Sequence, residues 1–269
     1  MSIYNNFIDR NIGILSQNQQ GIIKNTCVAI FGIGGLGGVI SEILCRSGIG
    51  YLKIIDPDKF ELSNLNRHVF AFQSTIGKKK IDVAEKFLCD INPEIKIDKY
   101  LSWDEKNIAE ILDKTDCAIL AVDKVKECII ISRCAYKLNI PLVEGWAIPF
   151  GNVRVYAKDT PTLEDVYDLP SKNKNLEGLD ETEIKKMDLK MLLSLTNIDG
   201  VRSHYDETAQ NKIIDGFIPS FAPYVWFTAV IMSLEVIKII LKWDTIAYAP
   251  RWSLYDPILS RIPRCNYNV

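Results

Sequence analysis

Residues 32–38 read GIGGLGG, five glycines in seven positions, and this turn constrains the chain more than any other stretch. Residues 28–31 are a short apolar run that leads into it. Residues 39–45 leave it with helical spacing, so the segment reads as strand, tight turn and helix. Glycine lets the backbone approach a phosphate closely, and unpaired N–H groups at a helix N-terminus favour negative charge. The turn therefore predicts an anion site at a strand end.

A second apolar run, residues 52–55, ends in Asp56, about twenty residues beyond the last glycines, where a Rossmann-type fold places the carboxylate that binds ribose hydroxyls. A dinucleotide site needs little more. Here, however, Ser63, Asn64, Asn66 and Arg67 follow, and then Gly77 and Lys80. Two cations and two amides near the same strand ends suit a triphosphate undergoing chemistry better than a pyrophosphate merely held. Each has a bland reading too. Asp56 and Asp58 could end a strand in a turn, and Arg67 and Lys80 could be surface cations.

Further strands are predicted at residues 26–31, 51–56, 95–100, 117–122, 141–144 and 151–157, with helices at 38–47, 78–89, 125–138 and 224–242. Ser102, with Glu105 three positions on, has the spacing of a capping box opening a helix to Leu112. Near-continuous apolar strands alternating with helices predict an α/β fold: a Rossmann-like, mostly parallel sheet with helices on both faces and a C-terminal antiparallel or crossover portion. The divisions read as an N-terminal arm and helix (1–24), a nucleotide-binding region (25–157), a crossover insertion (158–217), and a C-terminal helix and edge strand completing the same domain (218–269). The insertion, polar and mixed in charge, reads as helical and partly mobile, with a solvated face over residues 172–190 and a lid-like role as its functional alternative.

A chain of 269 residues with a formal net charge of −2 carries no overall electrostatic footprint for nucleic acid. The N-terminus lacks the pattern of an export signal, and the helix at 224–242, interrupted by Glu235 and Lys238, does not read as a membrane span. Seven cysteines without a Cys-x-x-Cys predict reduced thiols in the cytoplasm. Two histidines, His68 and His204, make no metal signature. His68, directly after Arg67, reads as a hydrogen-bonding neighbour rather than a base.

The GxGGLGG turn, the Asp56-x-Asp58 pair, the run Ser-Asn-Leu-Asn-Arg and the Gly77-to-Lys80 spacing resemble the ThiF/MoeB/HesA adenylyltransferases, relatives of the ubiquitin-activating enzymes. The likeness extends from about Arg10 to Tyr156 and resumes over residues 218–241. It implies ATP and Mg²⁺ as cofactors, a homodimer, and a ubiquitin-like carrier protein or peptide whose C-terminal carboxylate is adenylated. In the residues that match, Gly34 and Gly35 allow backbone approach, Asp56 and Asp58 face the ribose, and Asn64, Arg67 and Lys80 handle the phosphates. Asp123 is the implied Mg²⁺ ligand; its bland reading is a helix cap. Arg10 would reach into the partner's site, its bland reading being a solvated cation beside Asp9.

This chain departs from many relatives in lacking the two Cys-x-x-Cys pairs of a structural zinc, so no zinc is expected. It also has no cysteine between Cys134 and Cys265, so the acyl-adenylate is expected to pass to another nucleophile without a covalent step in the crossover. Two other readings stand beside the leading one. One is a tRNA threonylcarbamoyladenosine dehydratase, under which tRNA becomes the partner. The other, from a different class, is an NAD(P)-dependent oxidoreductase, which leaves Arg67, Lys80 and Asp123 without work.

Overall fold

The structure, a computed structural model, describes residues 3–148, 151–196, 207–215 and 218–253. Six strands form one sheet in the order β3-β2-β1-β4-β5-β6. They are β1 (Cys27–Phe31), β2 (Tyr51–Ile55), β3 (Lys96–Tyr100), β4 (Cys117–Leu120), β5 (Leu142–Trp146) and β6 (Asn152–Tyr156). All neighbours are parallel except β5 and β6, which run antiparallel with Glu144 opposite Arg154. The sheet order reverses beside β1, and the crevice at such a switch point is where open α/β sheets bind ligands.

Before the sheet come α1 (Ile3–Phe7) and α2 (Gln17–Lys24), the latter opened by a reciprocal capping box between Ser16 and Gln19. Helices α3 (Gly35–Arg46) and α4 (Lys80–Ile91) follow β1 and β2, and α5 (Ile108–Ile111) and α6 (Val125–Lys137) flank β4. The crossover holds α7 (Leu163–Val166), α8 (Glu181–Thr196) and α9 (Glu207–Ile214), and α10 (Ala222–Leu241) follows.

Side-chain alternation along the strands sorts the core into two layers, because successive residues of a strand face opposite sides. Val28 and Ile30 of β1 pack with α3, α4 and α10. Ala29 and Phe31 pack with α5, α6 and the crossover. With both faces covered, the central strands are apolar throughout. Helix α10 has the length and hydropathy of a membrane span, but Val225, Ala229, Met232 and Val236 are buried against the sheet. Its Glu235 is buried too, pairing with Lys238 at 2.7 Å and accepting the Ala247 amide.

One local expectation changes. The capping pair before α5 is Asp104 and Asn107 rather than Ser102 and Glu105: Asp104 accepts the amides of Lys106 and Asn107, Asn107 accepts that of Asp104, and the helix shrinks to one turn. The described part of the crossover is helical, as expected, and packs as a layer on the sheet. Met187, Met191, Leu192 and Leu195 are buried in the core, while Glu181, Glu183, Lys185, Lys186 and Lys190 form the solvated face. The edge strand expected over residues 251–264 lies largely outside the described residues. Within them, Ala247 and Ala249 bond Val155, and Ser253 exchanges two backbone hydrogen bonds with Val153, covering the open edge of β6.

Candidate active site

The glycine turn sits at the C-terminal end of β1, and its shape requires the missing side chains. Gly32 has φ +93°, and a Cβ there would lie 2.4 Å from the Ala121 carbonyl oxygen. A Cβ on Gly37 would lie 1.8 Å from the Gly32 carbonyl oxygen, so helix and strand meet only because both residues are bare. Helix α3 begins at Gly35 with Gly34 as its N-cap and no side-chain cap, leaving its first amides for a ligand. A Cβ on Gly35 would approach Val225 of α10 at 2.9 Å and Cγ of Arg67 at 3.4 Å. The Arg67 stem therefore lies along the turn.

Asp56, at the end of β2, is buried and closes the turn from behind. Its carboxylate accepts the amide of Ile33 at 2.7 Å and that of Asp58 at 2.8 Å. Lys80, the first residue of α4, is also buried, with Nζ 2.8 Å from Asp58 and 3.6 Å from Asp56. Asp58 is the open member of the trio, its side chain 64% exposed. Of the two carboxylates, it is the more open to solvent.

The loop carrying Asn64 and Arg67 is held by its own polar groups and by α10. Asn64 Oδ1 accepts the Glu61 amide, a reciprocal cap on the short 3-10 turn at Leu62–Asn64. Arg67 donates to the Ser63 carbonyl at 3.0 Å and to Asn66 at 2.7 Å, and burial lowers its pKa while the charge of Asp123 opposes that shift. Asn66 donates to the Ser220 carbonyl, and the Trp226 indole donates to that of Arg67. The start of α10 thus pins the loop over the turn.

Asp123 stands exposed just beyond β4, forming no contact ion pair among the described residues. Its charge is felt by Arg67 across the cleft, and on its own side by Glu127 and Asp188, whose carboxyls burial raises in pKa. No cluster of three metal-ligating side chains occurs among the described residues. A single free carboxylate beside a phosphate cradle nevertheless fits Mg²⁺, which usually takes one or two carboxylates, waters and phosphate oxygens. The bare turn and the buried lysine beside it likewise fit a nucleoside triphosphate.

The structure brings Gly34, Gly35, Asp56, Asp58, Asn64, Arg67, Lys80 and Asp123 to one edge of the sheet. Arg10 is elsewhere. It is exposed beside Asn11, whose side chain reaches the Ser47 carbonyl at the far end of α3, so the helix length separates it from the turn by about 18 Å. Two features escaped the sequence. Asp188 of α8 accepts the amide of Val125 at 2.8 Å, capping α6, whose own Lys124 offers no cap. Glu144 is buried and accepts from Trp146, Tyr156 and Tyr167, with Arg154 at 3.4 Å. Their partners lie too far along the chain, or on too ordinary a strand, to signal in advance. His204 and Cys265 lie outside the described residues.

The ThiF family description matches residues 8–268. The chain is 34% identical over 158 residues to the molybdopterin-synthase adenylyltransferase of Haemophilus influenzae, covering 57% of this chain and 65% of that protein. It is 31% identical over 142 residues to the tRNA threonylcarbamoyladenosine dehydratase of Bacillus subtilis, covering 49% of this chain and 53% of that protein. Among solved structures it resembles Escherichia coli MccB with ATP at 26% identity and a TM-score of 0.58, over 84% of this chain and 58% of that one. The matches thus span about half to two thirds of each relative's length.

Proposed function

The chain belongs to the ThiF family, and from that premise we propose that it adenylates a carboxylate with ATP, the acid being the C-terminus of a small ubiquitin-like sulfur carrier or of a peptide. One observation carries this reading: a bare glycine turn, a buried lysine, an arginine and a free carboxylate share a single cleft. An oxygen of the incoming carboxylate attacks the α-phosphorus, the bond to the bridging oxygen breaks, and pyrophosphate leaves. Both reactants are anions, so the chain must neutralise charge and hold them in line.

Gly34, Gly35 and the first amides of α3 receive phosphate oxygens. Lys80 exchanges Asp58 for the phosphates, which frees Asp58 to accept from a ribose hydroxyl beside the structurally engaged Asp56. Arg67 clamps the phosphates from above. Asn64 shapes the loop and offers its amide N–H. Asp123 would hold Mg²⁺, whose charge offsets that of the phosphates. With no cysteine in residues 158–217 the adenylate passes to an outside nucleophile.

A homodimer completes the site. Trp226, Val230 and Leu234 of α10 are 44%, 43% and 50% exposed at every fourth position, an apolar stripe that no described residue covers fully. The N-terminal end of α10 lies on the Arg67 loop, and the helix also packs against α2. Two copies apposed antiparallel along this stripe would bring Arg10 of one towards the turn of the other.

ATP–pyrophosphate exchange with a panel of carrier proteins and short peptides tests the reading. Exchange is expected with a cognate acid, and Asp123→Ala or Arg67→Ala should reduce it by at least a hundredfold while the melting temperature changes little. Unchanged exchange in Asp123→Ala removes the metal role. ATP with Mg²⁺ should raise the melting temperature and NAD should not; the reverse would favour the oxidoreductase.

One feature favours a second reading, in which the carboxylate is borne by tRNA. Lys59, Lys78, Lys79 and Lys86 outnumber Asp82 and Asp90 along one groove beside α4, none of the four lysines in a contact ion pair among the described residues, next to the stacked rings of Phe72 and Phe87. Salt-dependent binding of tRNA, lost when these lysines are replaced by Glu, would support it.

A further inference from the structure

His68 is 8% exposed, and its Nδ1 has no hydrogen-bond partner. The ring stands edge-on to Phe60, with centroids 6.1 Å apart. Its other edge lies against the glycine turn: a Cβ on Gly34 would be 3.4 Å from Cε1 and 3.7 Å from Nε2. No residue of the described protein bonds Nε2. A buried imidazole with one unpaired nitrogen and the other facing an anion cradle has no structural reason for its polarity.

A neutral imidazole has one N–H and one lone pair. Burying an unpaired donor is the rarer accommodation; an unpaired acceptor is tolerated more often. The proton therefore belongs on Nε2, aimed at Gly34, and the orphan Nδ1 keeps the lone pair. Resting on the nucleotide reading above, we propose that His68 is a nucleotide-binding residue whose Nε2–H donates a hydrogen bond to a phosphate or ribose oxygen held at the glycine turn. The charges around it agree. Burial, with Arg67 and Lys80 beside it and only Asp58 opposing, lowers its pKa to about 3, so the ring stays a neutral donor and adds no third cation to the cleft.

ATP with Mg²⁺ is the probe. Calorimetric titration of wild type, His68→Leu and His68→Gln should give about tenfold or weaker binding for His68→Leu, with His68→Gln, which keeps an N–H, recovering most of the loss. A purely structural histidine would instead lower the ligand-free melting temperature and leave the dissociation constant alone. Long-range ¹H–¹⁵N spectra of the wild type should place the ring proton on Nε2 in the ligand-free protein. Equal affinities in wild type and His68→Leu, or a proton on Nδ1, overturn the proposal while leaving the adenylation reading standing. A wild type that binds no ATP overturns both.

Discussion

The two halves of the molecule use polar residues in opposite ways. In the half built from β1 to β4, the polar groups at the site shape the turn and loop that carry them and leave donors and acceptors open at the sheet edge. Asp56 holds Ile33 and Asp58, Asn64 holds Glu61, and Arg67 holds Ser63. In the half from β5 onward, polar groups are consumed in fastening one buried segment to another. Glu144 gathers two tyrosines, a tryptophan and Arg154. Arg133 of α6 grips Glu164 with two bonds of 2.8 Å and the Ser171 carbonyl with a third. The first arrangement makes a ligand site; the second fastens the crossover layer over the sheet.

The contrast is broken most severely at the turn. Gly37→Ala places a methyl against a backbone carbonyl that cannot yield, and about 4 kcal/mol or more of folding stability should be lost, read from urea midpoints. Next in size is Glu144→Ala. It strands a buried Arg154 and several phenol and indole donors, at about 3–5 kcal/mol, whereas Glu144→Gln should cost less. If the halves are as distinct as described, the Glu144→Ala protein, studied below its melting temperature, still gains stability from ATP with Mg²⁺. Loss of that response would show that the network serves the nucleotide site and would merge the two halves.

This difference also decides what could be read in advance. The glycine turn, the strand ends and the Ser63-to-Arg67 run are local: backbone conformation and spacing suffice to bring Gly34, Asp56, Arg67 and Lys80 together. Even there, the cap before α5 sits two residues beyond the Ser102 and Glu105 spacing. Asp104 and Asn107 satisfy the amides of Lys106, Asn107 and Asp104 instead of those of Ser102 and Glu105, and spacing alone does not choose between two such pairs two residues apart. In the crossover, Met187 and Met191 sit among lysines and glutamates, so periodicity is faint, and Asp188 looks like one more solvated charge. Its role exists only because α6 starts without a cap of its own, a fact about a surface 63 residues away in sequence.

His68 joins the two styles, being local in sequence yet buried, and pH sharpens its case. Its pKa falls from 6.5 unfolded to about 3 folded. Between these values the unfolded chain binds a proton that the native protein refuses, so stability rises with pH. The contribution is complete above pH 6.5 and is lost as pH falls towards 3, at about 1.4 kcal/mol per unit. Denaturant midpoints from pH 7.5 to 5 should therefore fall more steeply in wild type than in His68→Gln, by roughly 2 kcal/mol over the interval. Parallel slopes would mean that His68 titrates normally and is not buried as described.

The smallest expected effect tests whether the second half reaches into the first. Asp188 holds the amide of Val125, two residues beyond Asp123, so the crossover helix fixes the loop that carries the candidate metal carboxylate. Losing a helix cap costs about 1 kcal/mol, and Asn caps as well as Asp does. Asp188→Ala should therefore lower stability by about that amount and speed hydrogen exchange at Val125, while Asp188→Asn stays near wild type in both. If Val125 exchange is unaffected in Asp188→Ala, α8 is only a cover. If it accelerates, the layer that binds no ligand nevertheless sets the position of the loop that does, because a helix start without its own cap takes its order from whatever supplies one.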